Sequence, residues 1–579
     1  MRRRTRWLIG ASLSVISLGL AWRLQTLTGQ EQLWGWWPLP LLLSLWGIVV
    51  AFRQNTSRFD LLGLASAAGL CLGLGFGTYP TWPLQIVGFA AMLSLTDQLT
   101  RRQLGLRRQW WYGFHALLLY NIIATWWVAN TSFAAGFVAN YLNALLMTVP
   151  WVLVFLLRRH LPKLWLLGAV SLWLGFEYLH YNWQIAWPWL TMGNALASTP
   201  RLVQWFSITG VFGGSLYLTA SGALLYRYWS MRGRSLATAQ TFPWRLAALV
   251  VLPLLLSLGM LLVERLPDGR EARLAAIQPN YEPHYAKFSA PQAEQYVRFD
   301  SLISSLGPVD LVVLPETSFG GIDQARVGQS RLLRGLSRDS LTMLIGLSTH
   351  QRYAEAIDHP ALRSRELGNG NTFHFTSHNS ALALDEGQAV SIYDKSKLVP
   401  GVEFLPYRKA MFLFEPLVES LGGTTAGLGV SDSAKVFRYA NGIAAAPLIC
   451  YESVYGDYVR EFTAQGANLL TVPTNDGWWD DTPGHRQHLA FASLRAIENR
   501  RYVLQAANSG ISALIDARGE LLHSTEYDEV ATLEVRAELL QGTTFYVRYG
   551  DQLGRLGAGA SCLLLLGLFA RMWGNRLGS

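Results

Sequence analysis

Cysteine and charged residues are both scarce in this sequence. Only three of its 579 residues are cysteine, too few for a framework of disulfide bonds. Charged residues make up 15% of the chain and hydrophobic residues 51%, a balance that is typical of integral membrane proteins and unusual in soluble ones. The net charge of +9 comes without a zinc-finger spacing or a compact basic reader motif, so we do not expect a nucleic-acid partner.

Apolar segments long enough to cross a bilayer fill the first part of the chain. The candidate spans lie near residues 7–24, 33–52, 60–77, 80–96, 110–129, 135–157, 164–180, 203–225 and 245–263, with one more near 553–569. The first segment also fits a signal peptide, but we expect an uncleaved anchor because a second span follows at once.

Arg and Lys concentrate in every second loop between these spans. They precede the first span and follow the second, fourth, sixth and eighth, including Arg2, Arg3, Arg4, Arg6, Arg53, Arg58, Arg101, Arg102, Arg107, Arg108, Arg158, Arg159, Lys163, Arg227, Arg232, Arg234 and Arg245. The loops after odd-numbered spans have almost none. By the positive-inside rule, this alternation predicts a cytoplasmic amino terminus and places residues 264–550 on the opposite side.

Composition changes sharply at Glu264, where charged residues become frequent. From there, β-rich runs alternate with helical ones, which predicts an α/β layered domain. We therefore expect a transmembrane domain at 1–263, a water-exposed domain at 264–550, and a final helix with a cytoplasmic tail at 551–579. Attachment at both ends would hold the middle domain close to the bilayer.

Three apolar runs in the middle domain each lead to a reactive side chain. They lead to Glu316, Lys395 and Cys450. Each alone also fits a structural role, since a thiol after a buried strand is usually a small hydrophobic residue. If the strands run side by side in the same sense, their ends form one site, and we expect the three side chains to converge.

Such a convergence would support acyl transfer. The Cys450 thiol is mostly protonated at neutral pH and needs a base to become a nucleophile. Glu316 could take the proton if burial raises its pKa. Lys395 and the backbone N–H of Tyr451 could then stabilise the oxyanion that forms at an attacked carbonyl.

Three motifs carry a family resemblance. Leu314-Pro315-Glu316, Tyr393-Asp394-Lys395-Ser396-Lys397-Leu398 and Ile449-Cys450-Tyr451-Glu452 resemble the catalytic motifs of the nitrilase superfamily. Together with the membrane half, the chain resembles the apolipoprotein N-acyltransferase family of bacterial lipoprotein maturation over about residues 60 to 572. The two spans that precede this region have no counterpart in the resemblance.

The resemblance implies a polytopic α-helical membrane domain and an extracytoplasmic αββα sandwich of the nitrilase type. It implies a monomer of the bacterial inner membrane that needs no cofactor or metal. A phospholipid would donate an acyl chain to Cys450 as a thioester, and the amino-terminal diacylglyceryl-cysteine of an apolipoprotein would accept it. Glu316 would be the general base and Lys395 the oxyanion stabiliser.

The resemblance also implies supporting residues. Glu403 and Glu452 match carboxylates that position the lysine and tune the site, and Tyr451 matches a residue needed beside the nucleophile. Candidate substrate contacts are Phe288, Phe412, Phe414, Trp478 and Trp479. Independently of the resemblance, the apolar side chains of 406–421 fit either a helix packed on the domain core or a mobile arm, and we favour an arm whose apolar face dips into lipid over the site.

The chain departs from the family at two places. Gly401-Val402 stands where the family has Phe-Gly, and β-branched Val402 does not favour the positive φ that glycine permits. Phe288 stands where the family has a tryptophan and therefore lacks the indole donor.

Other interpretations stay open at the level of sequence. A membrane-tethered amidase would resolve the same thioester with water, and a transporter or scaffold would only bind ligand. The spacing of His485 and His488 suits a helical metal site, but no third ligand motif accompanies them, so we expect a structural role.

Overall fold

A computed structural model of the protein describes residues 3–53, 58–232, 244–336, 341–366, 372–412, 415–416 and 426–577. Two compact units make up the chain. One comprises residues 1–260, 482–484 and 551–579, and the other comprises residues 261–481 and 485–550.

The first unit is helical, and each predicted span overlaps one of its helices. In chain order these are α1 (Arg3–Gly29), α2 (Pro38–Arg53), α3 (Phe59–Leu74), α4 (Pro83–Arg101), α5 (Leu106–Thr125), α6 (Phe133–His160), α7 (Trp165–Tyr181), α8 (Phe206–Arg232), α9 (Trp244–Val263) and the C-terminal helix (Gln552–Leu577). Within the described residues, five of them are long and apolar enough to cross a membrane, and α2 and α3 are shorter apolar helices.

Small residues let these helices approach one another closely. A Cβ at Gly69 of α3 would lie 2.3 Å from the backbone oxygen of Ala116 in α5. The C-terminal helix packs on α7 in the same way, because a Cβ at Gly175 would lie 2.7 Å from the Ser561 hydroxyl. That hydroxyl donates a hydrogen bond of 2.8 Å to the carbonyl oxygen of Ser171. Such contacts are the usual basis of helix association in lipid.

The second unit is an α/β sandwich. Its strands are β1 (Arg270–Gln278), β2 (Leu311–Val313), β3 (Phe319–Asp323), β4 (Met343–Tyr353), β5 (Arg363–Glu366), β6 (Thr372–Asp385), β7 (Gln388–Asp394), β8 (Phe437–Arg438), β9 (Ala444–Pro447), β10 (Leu469–Thr474), β11 (Val503–Ala507), β12 (Ala513–Ile515), β13 (Leu521–Ser524) and β14 (Ala531–Leu539). Its helices are α10 (Gln292–Ser304), α11 (Arg331–Leu336), α12 (Arg408–Met411), α13 (Gly456–Ala464), α14 (Pro483–Asn499) and α15 (Phe545–Tyr549).

The strands form two sheets. The first has the order β14-β1-β2-β4-β6-β5, with β3 also paired to β4 and β7 also paired to β6. The second has the order β13-β12-β11-β10-β9-β8. Hydrogen bonds join the two: Gln278 of β1 accepts from the hydroxyl of Ser512 at 2.8 Å, and the Tyr439 hydroxyl donates to the carbonyl of Met343 at 3.1 Å.

Apolar side chains cover the outer face of the first sheet. Val312 and Ile345 are fully buried there against Phe299 and Ile303 of α10. Strands buried on both faces read as continuous apolar runs, as does the run of β2 that leads to Glu316. On the second sheet's side, Leu494 and Ile497 of α14 are fully buried. The layers therefore follow the order helix, sheet, sheet, helix.

Candidate active site

Cys450 lies at a sharp turn after β9. The strand ends at Pro447, two buried residues follow, and a short helix begins at Cys450 itself. Cys450 has a φ of 51°. A residue other than glycine with positive φ is strained by about 1–3 kcal/mol and is held by its surroundings. The thiol is therefore fixed at the tip of a rigid turn, half-buried, with Tyr451 and Glu452 buried behind it.

Glu316 and Lys395 form a buried ion pair. Glu316 follows β2, and Lys395 is the residue directly after β7. The Lys395 Nζ atom lies 3.2 Å from Glu316 Oε1 and 2.9 Å from Glu403 Oε1. Asn379 of β6 donates from Nδ2 to Glu316 Oε1 at 2.7 Å. Each charge is thus paired in a place that water hardly reaches.

Glu403 is held in place by its own loop. Its Oε2 atom accepts a hydrogen bond of 2.8 Å from the backbone N–H of Val399. Gly401 has a φ of 78°, and its N–H donates to the carbonyl oxygen of Phe404 at 2.8 Å. Val402 is not in the positive-φ region. Gly401 therefore supplies the positive φ of this loop, and Glu403 reaches Lys395.

The convergence of the three strand ends has a different origin from the expected one. We expected neighbouring strands in a single sheet. Instead, β2 and β7 belong to the first sheet without being neighbours, and β9 belongs to the second. Glu316 and Lys395 thus approach Cys450 from the facing layer of the sandwich.

The charges of the site influence one another. Burial raises the pKa of Glu316, but Lys395, Asn379 and Lys287 outweigh it, so the net shift is downward. The condition stated from the sequence, that burial leaves the pKa of Glu316 raised, is not met, because the ammonium groups of Lys395 and Lys287 lie nearby. Burial lowers the pKa of Lys395, but Glu316 and Glu403 outweigh it and raise the pKa well above the ordinary value. The resting pair is therefore ionised.

The pKa of Cys450 is raised well above its ordinary value, first by burial and then by the negative charge of Glu316, while Lys395 opposes the rise. The resting thiol is therefore protonated and faces an ionised base. This arrangement can pass a proton from sulfur to carboxylate when a substrate carbonyl approaches.

Glu452 supports the turn. Its Oε2 atom accepts from the N–H of Ile449 at 2.8 Å, and its Oε1 atom accepts from the N–H of Ser396 at 2.7 Å and from the Tyr393 hydroxyl at 2.6 Å. One carboxylate thus joins the residue before Cys450 to the residue after Lys395. Glu452 thus contacts the backbone beside the lysine, whereas Glu403 contacts its ammonium directly.

Profiles of known protein families match both the helical part and the α/β part of the chain. The profile of the apolipoprotein N-acyltransferase N-terminal domain matches residues 68–224, and the carbon-nitrogen hydrolase profile matches residues 273–544. The apolipoprotein N-acyltransferase of Chlorobaculum tepidum is 27% identical over 86% of this chain and 95% of its own length. That of Pseudomonas paraeruginosa is 28% identical over 88% of this chain and 95% of its own. The chain belongs to the apolipoprotein N-acyltransferase family.

Among solved structures, an amidase from Nesterenkonia sp. is similar over 50% of this chain and 98% of its own, at 19% identity and a TM-score of 0.32. The N-terminal domain profile of the family begins at residue 68, so α1 and α2 lie before it. These two helices pack together, and the Ser17 and Ser44 hydroxyls form a hydrogen bond of 2.8 Å between them.

The candidate substrate contacts fall into separate places. Phe288 is 65% exposed and stacks on Trp478, with ring centroids 5.9 Å apart, so the family tryptophan position keeps an aromatic face here. Trp479 instead meets the ring of His488 edge-on at 5.8 Å. Phe412 is 58% exposed at the end of α12. Phe414 and residues 417–421 of the predicted arm lie outside the described residues.

Lys287 is a site residue that the sequence reasoning missed. Its ammonium is buried and donates to the carbonyl oxygen of Glu316 at 2.8 Å and to the Thr317 hydroxyl at 2.9 Å. Both acceptors are neutral. Burial lowers the pKa of Lys287 to about 8, although Glu316 and Cys450 oppose the shift. Lys287 follows no strand, and its only signal in the sequence is its place next to Phe288.

The two histidines of α14 have different surroundings. His488 pairs with Asp476, whereas the ring of His485 stacks on Tyr527 at 4.7 Å. In the described part of the chain, no cluster of three or more His, Cys, Asp or Glu residues could hold a metal ion.

Proposed function

We propose that this protein moves an acyl chain from a membrane phospholipid to the α-amine of the amino-terminal diacylglyceryl-cysteine of an apolipoprotein. This would be the last step of lipoprotein maturation. One observation carries the proposal: a buried Glu316–Lys395 ion pair faces the strained Cys450 in a member of the apolipoprotein N-acyltransferase family. Membership of the family supports the choice of both substrates.

In the first half of the reaction, Cys450 attacks the ester carbonyl of the phospholipid. The thiol proton passes to Glu316, and the negative charge on the carbonyl oxygen is stabilised by Lys395 and the N–H of Tyr451. The carbon–oxygen bond then breaks, and Glu316 returns the proton to the leaving alkoxide. The products are a lysophospholipid and a thioester on Cys450.

In the second half, the free α-amine of the apolipoprotein attacks the thioester. Glu316 accepts a proton from the amine, the carbon–sulfur bond breaks, and the sulfur recovers a proton. An amide forms and the enzyme returns to its starting state. Because the acyl chain is held on Cys450 between the two halves, the lysophospholipid is released before the acceptor is acylated.

The proposed setting is the inner membrane of a bacterium. The alternation of Arg-rich loops supports a catalytic domain at 264–550 on the extracytoplasmic face, between a transmembrane domain at 1–263 and a final helix with its tail at 551–579. Each half-reaction uses residues of one chain, so a monomer is sufficient.

The test uses purified protein and a phospholipid labelled in its acyl chain. We expect the label to accumulate on Cys450 as a hydroxylamine-sensitive thioester. The substitution Cys450→Ala should abolish labelling, whereas the matched substitution Cys562→Ala, at an exposed cysteine of the C-terminal helix, should not. Full labelling of Cys450→Ala would show that another group is the nucleophile.

A second arm separates a transferase from a hydrolase. A diacylated lipopeptide is added to the labelled enzyme, and both the peptide and the free fatty acid are followed. We expect label on the peptide amine. Release as fatty acid alone would favour the membrane-tethered amidase.

A further inference from the structure

A buried Asp–His pair lies behind Cys450, and the steps above do not use it. Asp476 begins a short helix after β10, and His488 belongs to α14. Both side chains are fully buried. The His488 Nδ1 atom lies 2.9 Å and 3.0 Å from the two carboxylate oxygens of Asp476. Burying two charged groups this completely costs free energy unless their attraction and their hydrogen bonds offset it.

The other nitrogen of His488 faces the nucleophile's own backbone. Its Nε2 atom lies 3.2 Å from the carbonyl oxygen of Cys450 and 2.8 Å from the Ser453 hydroxyl. That hydroxyl already donates its hydrogen to the same carbonyl, at 2.8 Å. The carbonyl oxygen therefore accepts from two side chains.

The partners of the ring determine its protonation state. A carbonyl oxygen and a carboxylate accept hydrogen bonds and donate none. Because the Ser453 hydroxyl gives its one hydrogen to the Cys450 carbonyl, it too accepts at Nε2, and this arrangement places hydrogen on both ring nitrogens. His488 is then an imidazolium ion. Burial lowers the pKa of His488, but Asp476 and the Cys450 carbonyl outweigh it, and the net shift is upward.

This cation has two effects on Cys450. It anchors the carbonyl of a residue with a φ of 51°, which stabilises the strained turn that presents the sulfur. It also neutralises Asp476, whose negative charge raises the pKa of the Cys450 thiol. The first effect fixes the sulfur in the geometry of attack, and the second favours the thiolate.

We propose that His488, held by Asp476, is a positioning residue that fixes the backbone of Cys450 from behind. It touches no reacting atom and acts through the carbonyl of the nucleophile. This inference builds on the proposed role of Cys450 as nucleophile, but the contact itself can be tested without a phospholipid.

Two substitutions by amide side chains distinguish the contacts that the two ring nitrogens of His488 make. In His488→Gln, the side-chain NH₂ reaches the position of Nε2 and can still donate to the Cys450 carbonyl. In His488→Asn, it reaches only the position of Nδ1 and keeps the contact with Asp476 instead. The control substitutions His523→Gln and His523→Asn change an exposed histidine of β13 in the same two ways.

The readout is the rate at which iodoacetamide alkylates Cys450, located by peptide mass spectrometry, together with the thermal unfolding temperature. Because misplacement by about 1 Å can cost on the order of 100-fold, we expect His488→Asn to slow alkylation by about 10-fold or more. His488→Gln should recover most of the rate, and both His523 variants should match the parent. A purely structural role predicts that the two His488 variants lose reactivity equally, which would overturn the proposal.

Ser453→Ala keeps the test decisive if a His488 variant does not fold. It removes the second donor to the same carbonyl, so it should also slow alkylation, and a parent-like rate would contradict the proposal. The same variants are then assayed with labelled phospholipid. If the parent protein is alkylated but never acylated, the proposed function fails while the inference about His488 stands.

Discussion

The residues around Cys450 form a nearly balanced set of buried charges. Lys395 and Lys287 supply two positive charges, and Glu316 and Glu403 supply two negative ones, with the thiol neutral. Moving the thiol proton to Glu316 leaves the sum unchanged. The proposed reaction thus shifts charge within the site without creating a net buried charge, which would be costly.

Replacing the base should stop the first half-reaction. Glu316→Gln keeps the shape of the side chain but cannot accept a proton, so we expect thioester formation to fall by about 100-fold or more. Glu271→Gln is the control, since it neutralises a carboxylate that pairs with Arg536 at the exposed surface. Labelling within a few-fold of the parent for Glu316→Gln would remove that residue from the proton path.

Lys287 should set an alkaline limit to acylation. Its pKa is lowered to about 8, so above that pH the ammonium becomes neutral and the site loses one of its two positive charges. We expect Lys287→Met to lower the rate of thioester formation by about 10-fold at neutral pH.

The pH profile supplies the check. The decline above pH 8 should be absent in Lys287→Met, which has no charge to lose, and should move to higher pH in Lys287→Arg, which keeps its charge. A decline near pH 8 in all three proteins would assign it to another group.

At the scale of elements, the sequence predicted most of the strands that lead to site residues. Buried strands such as β2 and β9 are uninterrupted apolar runs and could be predicted from the sequence, whereas the less buried β7 was found from its short run Val390-Ser391-Ile392-Tyr393. The short or exposed strands β5 and β13 lack such a run and were missed. The sequence also does not predict which of the two sheets a strand joins, because pairing between distant segments leaves no local pattern in the sequence.

The same limit applies to individual residues. Lys287 reaches the site from a loop, and Asn379 reaches it from the middle of β6, so neither occupies a position that marks a strand end. The contact of His488 with Cys450 joins residues 38 positions apart across two elements. Motif spacing cannot predict such contacts, because only the packing of the layers creates them.

Close packing between two strands positions the base. A Cβ at Gly346 of β4 would lie 2.3 Å from the carbonyl oxygen of Pro315 and 2.7 Å from the Cα of Glu316. We therefore expect Gly346→Ala to push Glu316 away from Lys395 and to lower thioester formation by about 10-fold or more.

Gly320→Ala is the matched control in neighbouring β3, where the added methyl group would meet nothing closer than 3.8 Å. Its activity and unfolding temperature should match those of the parent. Equal labelling by the two variants would mean that the strand contact does not hold Glu316 in place.

The alternation of the basic loops predicts which side of the membrane each part of the molecule faces. A membrane-impermeant maleimide tests the proposed orientation, in a parent in which all three native cysteines are alanine. In spheroplasts, Glu271→Cys at an exposed position of β1 should react, whereas Lys163→Cys in the loop between α6 and α7 should react only after lysis. The opposite pattern would place the catalytic domain in the cytoplasm.

The packing of the C-terminal helix on α7 has a consequence for biosynthesis. Residues 264–550 are made after α7 and before its partner helix, so Ser171 and Gly175 must wait for the contacts that cover them. About 370 residues separate α7 from its partner helix, so at typical rates of translation this delay lasts roughly 20 to 75 s. During that time this face of α7 lacks the helix that covers it, and the helical unit is completed only after the domain between its two parts has been synthesised.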